Sequence, residues 1–214
     1  MTRLRSSAIA LAALLAAAPG AALPQGAHEH IGHVTTGWMD TPGGQGLLQA
    51  AEAEARIALD HAGLALADPE DLAAIKLHAG HVLHAVDPAA IAAGPGLGYG
   101  LERAAAGIAA HIGLAAGAAD ASDEVKLGAE HVAASARNVV TWSGEIVGLA
   151  GQIAAAGDAA PAAVMAARIR ALLGCVIDGC DANQDGTVSW GPGEGGLAQA
   201  RQQMGELTTA EGVR

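Results

Sequence analysis

The sequence predicts an all-α protein, in which an up-and-down four-helix bundle is followed by a C-terminal helix–loop–helix. Three observations support this fold class. About a quarter of the 214 residues are Ala, which is the best helix former. Aromatic residues make up 2% of the chain, with no Phe, so the side chains that strands prefer are sparse. Apolar residues recur at alternating spacings of three and four, which is typical of one buried face on a helix.

The first segment has the features of a secretory signal. Two Arg precede a short apolar run, and small residues surround a cleavage position after Ala22. The run is shorter than the roughly 20 residues that a membrane-spanning helix needs. We therefore expect a signal peptide over residues 1–22 and a periplasmic or secreted mature chain that is not held in a membrane. Residues 23–44 contain Gly, Pro and His with little periodicity, which predicts an irregular arm.

Residues 45–157 are predicted to form the bundle. Asp68 is a candidate N-cap and is followed by Pro, so a helix is expected to start there. Residues 94–100 read Gly-Pro-Gly-Leu-Gly-Tyr-Gly and predict a loop, which lacks the Lys and the preceding strand of a phosphate-binding loop. Short connections make consecutive helices antiparallel neighbours. The four predicted helices span residues 45–67, 69–86, 101–118 and 122–156.

Residues 158–214 contain the clearest motif, Asp181-Ala-Asn183-Gln-Asp185-Gly-Thr-Val-Ser, between two predicted helices. This segment resembles the EF-hand calcium loop, which implies a calcium site that stabilises the fold. The twelfth loop position, Glu in that family, is Pro192 here, and Glu194 could close a lengthened loop with modest affinity. An Asx-rich turn without metal is the alternative. The calcium ligands that the resemblance implies are Asp181, Asn183, Asp185, Thr187, Ser189 and Glu194.

The two cysteines, Cys175 and Cys180, are five residues apart. In an exported protein this spacing favours a disulfide. Half of a four-ligand zinc site is the alternative, but the chain has no second Cys pair.

The chain contains nine His, which is an unusual number for a sequence so rich in Ala. Each predicted bundle helix presents a His on or beside its apolar face, at heights that differ by only about 9 Å along the bundle. We therefore expect these imidazoles to converge in one layer and to bind a metal. Neutral His side chains packed in the core are the alternative. The predicted metal ligands are His61, His78, His81, His111 and His131. The remaining His of the arm, at 28, 30 and 33, are interpreted as polar surface rather than as a flexible chelator.

The ligand type limits the cofactor. Imidazole suits Zn, Cu or Fe ions and also the axial positions of haem. Covalent haem is excluded because the chain has no Cys-x-x-Cys-His motif. A net charge of −11 argues against nucleic acid and anionic membranes as partners, and no protein partner is indicated.

Three functional hypotheses follow from these features. The first is an exported protein that binds a transition metal or non-covalent haem and carries a structural calcium loop. The second is a structural or interaction protein that binds only calcium. The third is a metal-dependent enzyme, which is less favoured because its candidate bases Glu54, Glu102 and Glu130 are expected on solvated faces.

Overall fold

The computed structural model describes residues 26–213, and within them it contains seven α-helices, one short 3-10 turn and no strand. The all-α fold class is therefore confirmed. The predicted signal peptide, residues 1–22, lies outside the described residues. The helices are α1 (Ala27–Thr35), α2 (Leu47–Leu64), α3 (Leu72–Val86), α4 (Leu101–Gly117), α5 (Asp123–Ala155), α6 (Ala159–Asp178) and α7 (Leu197–Glu211).

The N-terminus of α3 lies three residues later than the sequence predicts. The Asp68 side chain accepts a hydrogen bond from the Glu70 N–H at 3.1 Å, which closes a local turn. The helix is capped instead by Asp71, whose side chain accepts from the Ala74 N–H at 3.0 Å. The segment that contains Pro69 therefore forms the connection between α2 and α3.

The prediction of an irregular arm over residues 23–44 is wrong for its middle part, which forms α1. This helix is too short to be stable alone, so its packing must hold it. Ile31 and Val34 are fully buried, and the first backbone N–H, at Ala27, donates to the Asp120 carboxylate at 2.9 Å. The apolar periodicity of this helix is weak because three of its nine residues are His.

The central element is α5, which packs against α3, α4, α6 and α7. Apolar residues form a buried stripe along one face of α5, in which Val139, Ile146 and Ile153 are completely inaccessible to solvent. The N-cap of α5 is Ser122, whose hydroxyl accepts from the Val125 N–H at 3.0 Å. Around α5, α1 packs mainly against α4, while α2 packs mainly against α3. The up-and-down topology of a four-helix bundle stays a prediction.

The C-terminal part consists of α6, the loop region 179–196 and α7. The predicted disulfide between Cys175 and Cys180 is present, with 5.0 Å between the two Cα atoms. By length and composition alone, α6 could cross a membrane. Within the fold, four large apolar residues of α6 are buried, whereas Val164 is exposed; the four are Ile169, Leu172, Leu173 and Val176.

Candidate metal centres

The structure gathers six of the nine His into two clusters of three. In each cluster, one ring nitrogen from every imidazole lies within 4.8 Å of the other two. Two members come from one helix, one turn apart, and the third comes from a neighbouring helix. The first cluster comprises His30 and His33 of α1 with His111 of α4. The second cluster comprises His78 and His81 of α3 with His61 of α2.

The nitrogens of the first cluster meet at short distances. The Nδ1 atom of His111 lies 3.2 Å from Nδ1 of His30 and 3.3 Å from Nδ1 of His33. Because the two α1 residues are three apart, their rings project on the same side of the helix. His30 is 7% exposed, and His33 and His111 are partly exposed.

The second cluster repeats this arrangement on another pair of helices. The Nδ1 atom of His61 lies 3.1 Å from Nδ1 of His78 and 3.3 Å from Nδ1 of His81. All three side chains are partly exposed. In both clusters, therefore, one imidazole nitrogen faces two others.

Hydrogen bonding alone cannot satisfy this arrangement of nitrogens. A neutral imidazole has one N–H donor and one acceptor nitrogen. The central Nδ1 atom can therefore donate one proton to a single neighbour, or else two protons must share its one lone pair. A metal ion instead accepts one lone pair from each ring. A tetrahedral ion with Zn–N bonds of 2.0–2.1 Å separates its ligand nitrogens by about 3.3–3.4 Å, close to the separations in both clusters.

The electrostatic environment favours neutral imidazoles. Burial, and after it the neighbouring imidazoles, hold the pKa of His33 and His111 below the ordinary value. The same causes, in the same order, lower the pKa of His61 and His81. A neutral ring has the free lone pair that metal binding requires, so both clusters suit a cation at neutral pH.

The surroundings of the two clusters differ. The indole ring of Trp38 packs beside the first cluster, with its centroid 4.5 Å from the ring centre of His33 and 4.6 Å from that of His111. The backbone N–H of Trp38 donates to the Gln45 carbonyl at 3.1 Å, which fixes the loop between α1 and α2. Among the described residues, no Trp or Tyr ring is stacked on the second cluster.

The predicted single layer of five His does not form, because its members lie in three places. His61, His78 and His81 are together, His111 joins α1, and His131 lies apart. His131 is stacked on Trp190, with ring centroids 4.4 Å apart and an interplanar angle of 12°. Its Nδ1 atom is 3.1 Å from the Gln203 amide oxygen. The equal height expected from helix rise stays a prediction, and it did not specify which rings lie next to one another.

The two remaining His have other partners. His28 pairs with Glu211, with 2.9 Å between Nε2 and the carboxylate. His84 is buried, and its Nδ1 atom is 3.0 Å from the Pro95 carbonyl. Neither side chain belongs to a cluster.

A recurring sequence pattern could have distinguished the six clustered His from the other three. Residues 30–34 read His-Ile-Gly-His-Val, and residues 78–82 read His-Ala-Gly-His-Val. The single-His helices carry His-Ala-Gly-Leu at 61–64 and His-Ile-Gly-Leu at 111–114. The two patterns alternate along the chain, which is the signature of an internal repeat. Each cluster combines one helix of each pattern, taken from different repeats.

The same comparison explains why His131 lacks a cluster. Residues 75–82 read Ile-Lys-Leu-His-Ala-Gly-His-Val, and residues 125–132 read Val-Lys-Leu-Gly-Ala-Glu-His-Val. The second His of the pattern is retained as His131. The first is replaced by Gly128, so this segment offers one imidazole instead of a pair.

The residues of the calcium-type loop lie together at the surface. The Asp181 carboxylate accepts from the N–H groups of Asp185 and Gly186 at 3.1 and 2.9 Å. Glu194 is 4% exposed, and its carboxylate accepts from the Ser189 N–H at 3.0 Å. Glu194 therefore does return to the loop, while calcium binding itself stays a prediction. The other implied ligands, Asn183 and Thr187, are exposed in the same loop.

Sequence reasoning missed Asn138 of α5, which holds the backbone of residues 191–195, next to the calcium-type loop. The Asn138 amide nitrogen donates to the carbonyls of Gly191 and Gly195, each at 3.0 Å. Its amide oxygen accepts from the Gly193 N–H at 2.9 Å. No local pattern distinguishes this Asn from a surface residue, because its partners are more than fifty residues away.

The prediction that Glu54 lies on a solvated face is wrong. Its side chain is 0% exposed and accepts from the N–H groups of Leu97, Tyr99 and Gly100 at 3.1, 3.1 and 3.0 Å. The backbone N–H groups of the Gly-rich loop, residues 94–100, therefore bind an anion, which is the carboxylate of Glu54. Glu130 is exposed, as predicted.

Comparisons of the chain with protein-family models, with curated proteins and with solved structures give no match.

Proposed function

We propose that the protein is a carrier or buffer of transition-metal ions, with one ion bound in each His cluster. The observation that carries this proposal is that, in both clusters, one Nδ1 atom lies 3.1–3.3 Å from the Nδ1 atoms of the two other His. Two sites with the same ligand set favour storage or delivery of ions over a single catalytic centre.

The donor set favours Zn²⁺ or Cu²⁺. Each cluster offers only imidazoles, which these borderline ions accept readily. Both Cys are held in the disulfide and supply no thiolate. Non-haem iron sites combine His with a carboxylate, which neither cluster contains. Haem needs axial ligands on opposite faces of its ring, whereas the ligand nitrogens of each cluster lie within 4.8 Å of one another.

The structural context supports an exported carrier. The disulfide suits an oxidising compartment, in agreement with the proposed signal peptide over residues 1–22. The helices that supply the second cluster also pack against α4 and α5, as a four-helix bundle requires. We propose this bundle as the scaffold that fixes the imidazoles.

We also propose that the C-terminal loop binds calcium. Its support is the resemblance to an EF-hand loop together with the return of the buried Glu194 carboxylate to Ser189. Gly186 has a φ of +88°, which suits the sharp turn that such a loop needs. Asp185→Ala should abolish the rise in Tm that calcium produces, whereas an equal rise in this variant would contradict the proposal.

Zinc stoichiometry tests the main proposal. The disulfide-intact protein is freed of metal with EDTA, titrated with Zn²⁺ and weighed by native mass spectrometry. We expect two ions in the wild type, one in His61→Ala, one in His111→Ala and none in the double variant. His131→Ala is the matched control and should retain two. A wild type that binds fewer than two ions, or a control that loses one, would overturn the proposal.

A further inference from the structure

Each cluster offers three imidazole donors, but the two clusters differ in the side chains that cover them. A Zn²⁺ ion bound by three His keeps a fourth coordination position open. An acceptor that removes the ion first binds at that position, so its rate depends on access to the ion. The surroundings of each cluster therefore determine how fast its ion can leave.

Access to the first cluster is restricted by Trp38. Its indole ring packs within 4.6 Å, centroid to centroid, of two of the three imidazoles. The loop that carries this ring is fixed by backbone hydrogen bonds from Trp38 to Gln45 and from Thr41 to Trp38, at 3.1 and 3.0 Å. The third imidazole, that of His30, is buried. An indole ring therefore covers part of the first cluster, and the backbone of its loop is held by hydrogen bonds on both sides of Trp38.

The second cluster has no such cover among the described residues. Among the described residues, the ring contacts of its three imidazoles are edge to face or parallel and are with one another. All three are partly exposed, and they lie on two helices that are consecutive in the chain. An ion held there can take a fourth ligand from outside without any rearrangement of an aromatic side chain.

We infer that the second cluster is the exchange site, which yields its ion to a chelating acceptor with nitrogen and oxygen donors, while the first cluster retains its ion. This inference rests on the proposed function. The transfer is a ligand substitution: the acceptor's donor atoms form bonds to Zn²⁺ as the three imidazole bonds break, with no change of oxidation state.

Stopped-flow transfer to the chelator 4-(2-pyridylazo)resorcinol tests this inference. Wild type loaded with two Zn²⁺ should release them in two phases of equal amplitude. His111→Ala, which retains only the second cluster, should show the fast phase alone. His61→Ala should show the slow phase alone. Equal rates in the wild type, or the reverse assignment of phases, would overturn the inference.

The role of Trp38 is tested by removing its ring. Trp38→Ala keeps the backbone hydrogen bonds of the loop and should accelerate the slow phase about tenfold, because an aromatic packing contact is worth about that factor. Trp38→Phe should give an intermediate rate. Trp190→Ala, which removes the ring that packs on His131, is the matched control and should change neither phase. A slow phase that is unchanged in both Trp38 variants would overturn the inference.

These results separate the inference from the proposed function. Zinc content is measured before mixing. Fewer than two bound ions in the wild type would refute the proposed function, whereas two bound ions released in one phase would refute only the inferred difference between the clusters.

Discussion

Replacement of the buried Glu54 should destabilise the protein strongly without removing a metal ligand. This carboxylate is 0% exposed and accepts from the N–H groups of Leu97, Tyr99 and Gly100 at 3.0–3.1 Å. It thereby holds the loop between α3 and α4, which carry ligands of different clusters. We expect the change to lower the free energy of unfolding and to leave zinc stoichiometry at two.

The magnitude follows from the hydrogen bonds. The bonds from Tyr99 and Gly100 are buried, whereas the one from Leu97 is only partly buried, so water can replace it. Each buried N–H left without an acceptor costs about 1–3 kcal/mol, so Glu54→Ala should lose about 2–6 kcal/mol. Glu54→Gln keeps one acceptor oxygen for the two buried donors, which both bond the same carboxylate oxygen. It should lose about 1–3 kcal/mol.

Urea unfolding of the metal-free, disulfide-intact protein measures these losses. EDTA is present so that bound metal does not mask the difference. Glu130→Ala, a change at an exposed Glu of α5, is the matched control and should stay within about 0.5 kcal/mol of the wild type. Thermal unfolding should show the same order, at about 2–4 °C for each kcal/mol. An unfolding free energy of Glu54→Ala within about 1 kcal/mol of the wild type would refute this account of the loop.

The structure supports four further predictions. Zinc affinity, measured by equilibrium dialysis, should be constant above the ordinary imidazole pKa of about 6.5 and fall below it, because each bound ion must displace protons; affinity that is unchanged at about pH 4 would exclude imidazole ligands. The metal-free protein should also lose stability as the pH falls below about 6.5, because burial lowers the pKa of His33, His61, His81 and His111 and the unfolded chain therefore takes up protons first. Asn138→Ala breaks three hydrogen bonds and should cost about 2–4 kcal/mol in urea unfolding, while Gln202→Ala on the exposed face of α7 should change little. Cu²⁺ should quench the fluorescence of Trp38, which packs on two ligands of the first cluster, and this part of the quenching should be missing in Trp38→Phe.

Local features of the sequence were sufficient to predict most of the helices. The stripe that contains Val139, Ile146 and Ile153 predicts α5, and the Ser122 side chain that caps it is a standard local signal. The helix α1 was missed because its stability depends on distant groups, among them Asp120, which accepts from its first N–H. A short helix of this kind has no reliable local pattern.

The sequence indicated that His side chains would be the metal ligands, but it did not indicate which His would lie together. The rise of 1.5 Å per residue gives the height of a side chain along a helix. The direction of the side chain around the bundle depends on how the helices pack, which periodicity does not specify. His111 therefore lies beside His30 and His33 of α1 instead of beside His61. Glu54 shows the same limit, since its burial depends on a loop more than forty residues away.

The pairing of the repeats would give the two proposed ions different structural roles. Each repeat, α1 with α2 or α3 with α4, contains three His of the required pattern, yet each cluster takes two from one repeat and one from the other. The ligands of the second cluster are only 17 and 20 residues apart, whereas those of the first are 81 and 78 apart. Closing the longer loops costs about 1.3 kcal/mol more chain entropy, so an unfolded chain gathers the first set of ligands less readily. An ion in the first cluster therefore favours the folded state more selectively and holds α1 on α4, which suits the retained ion, while the local second cluster suits the ion that is exchanged.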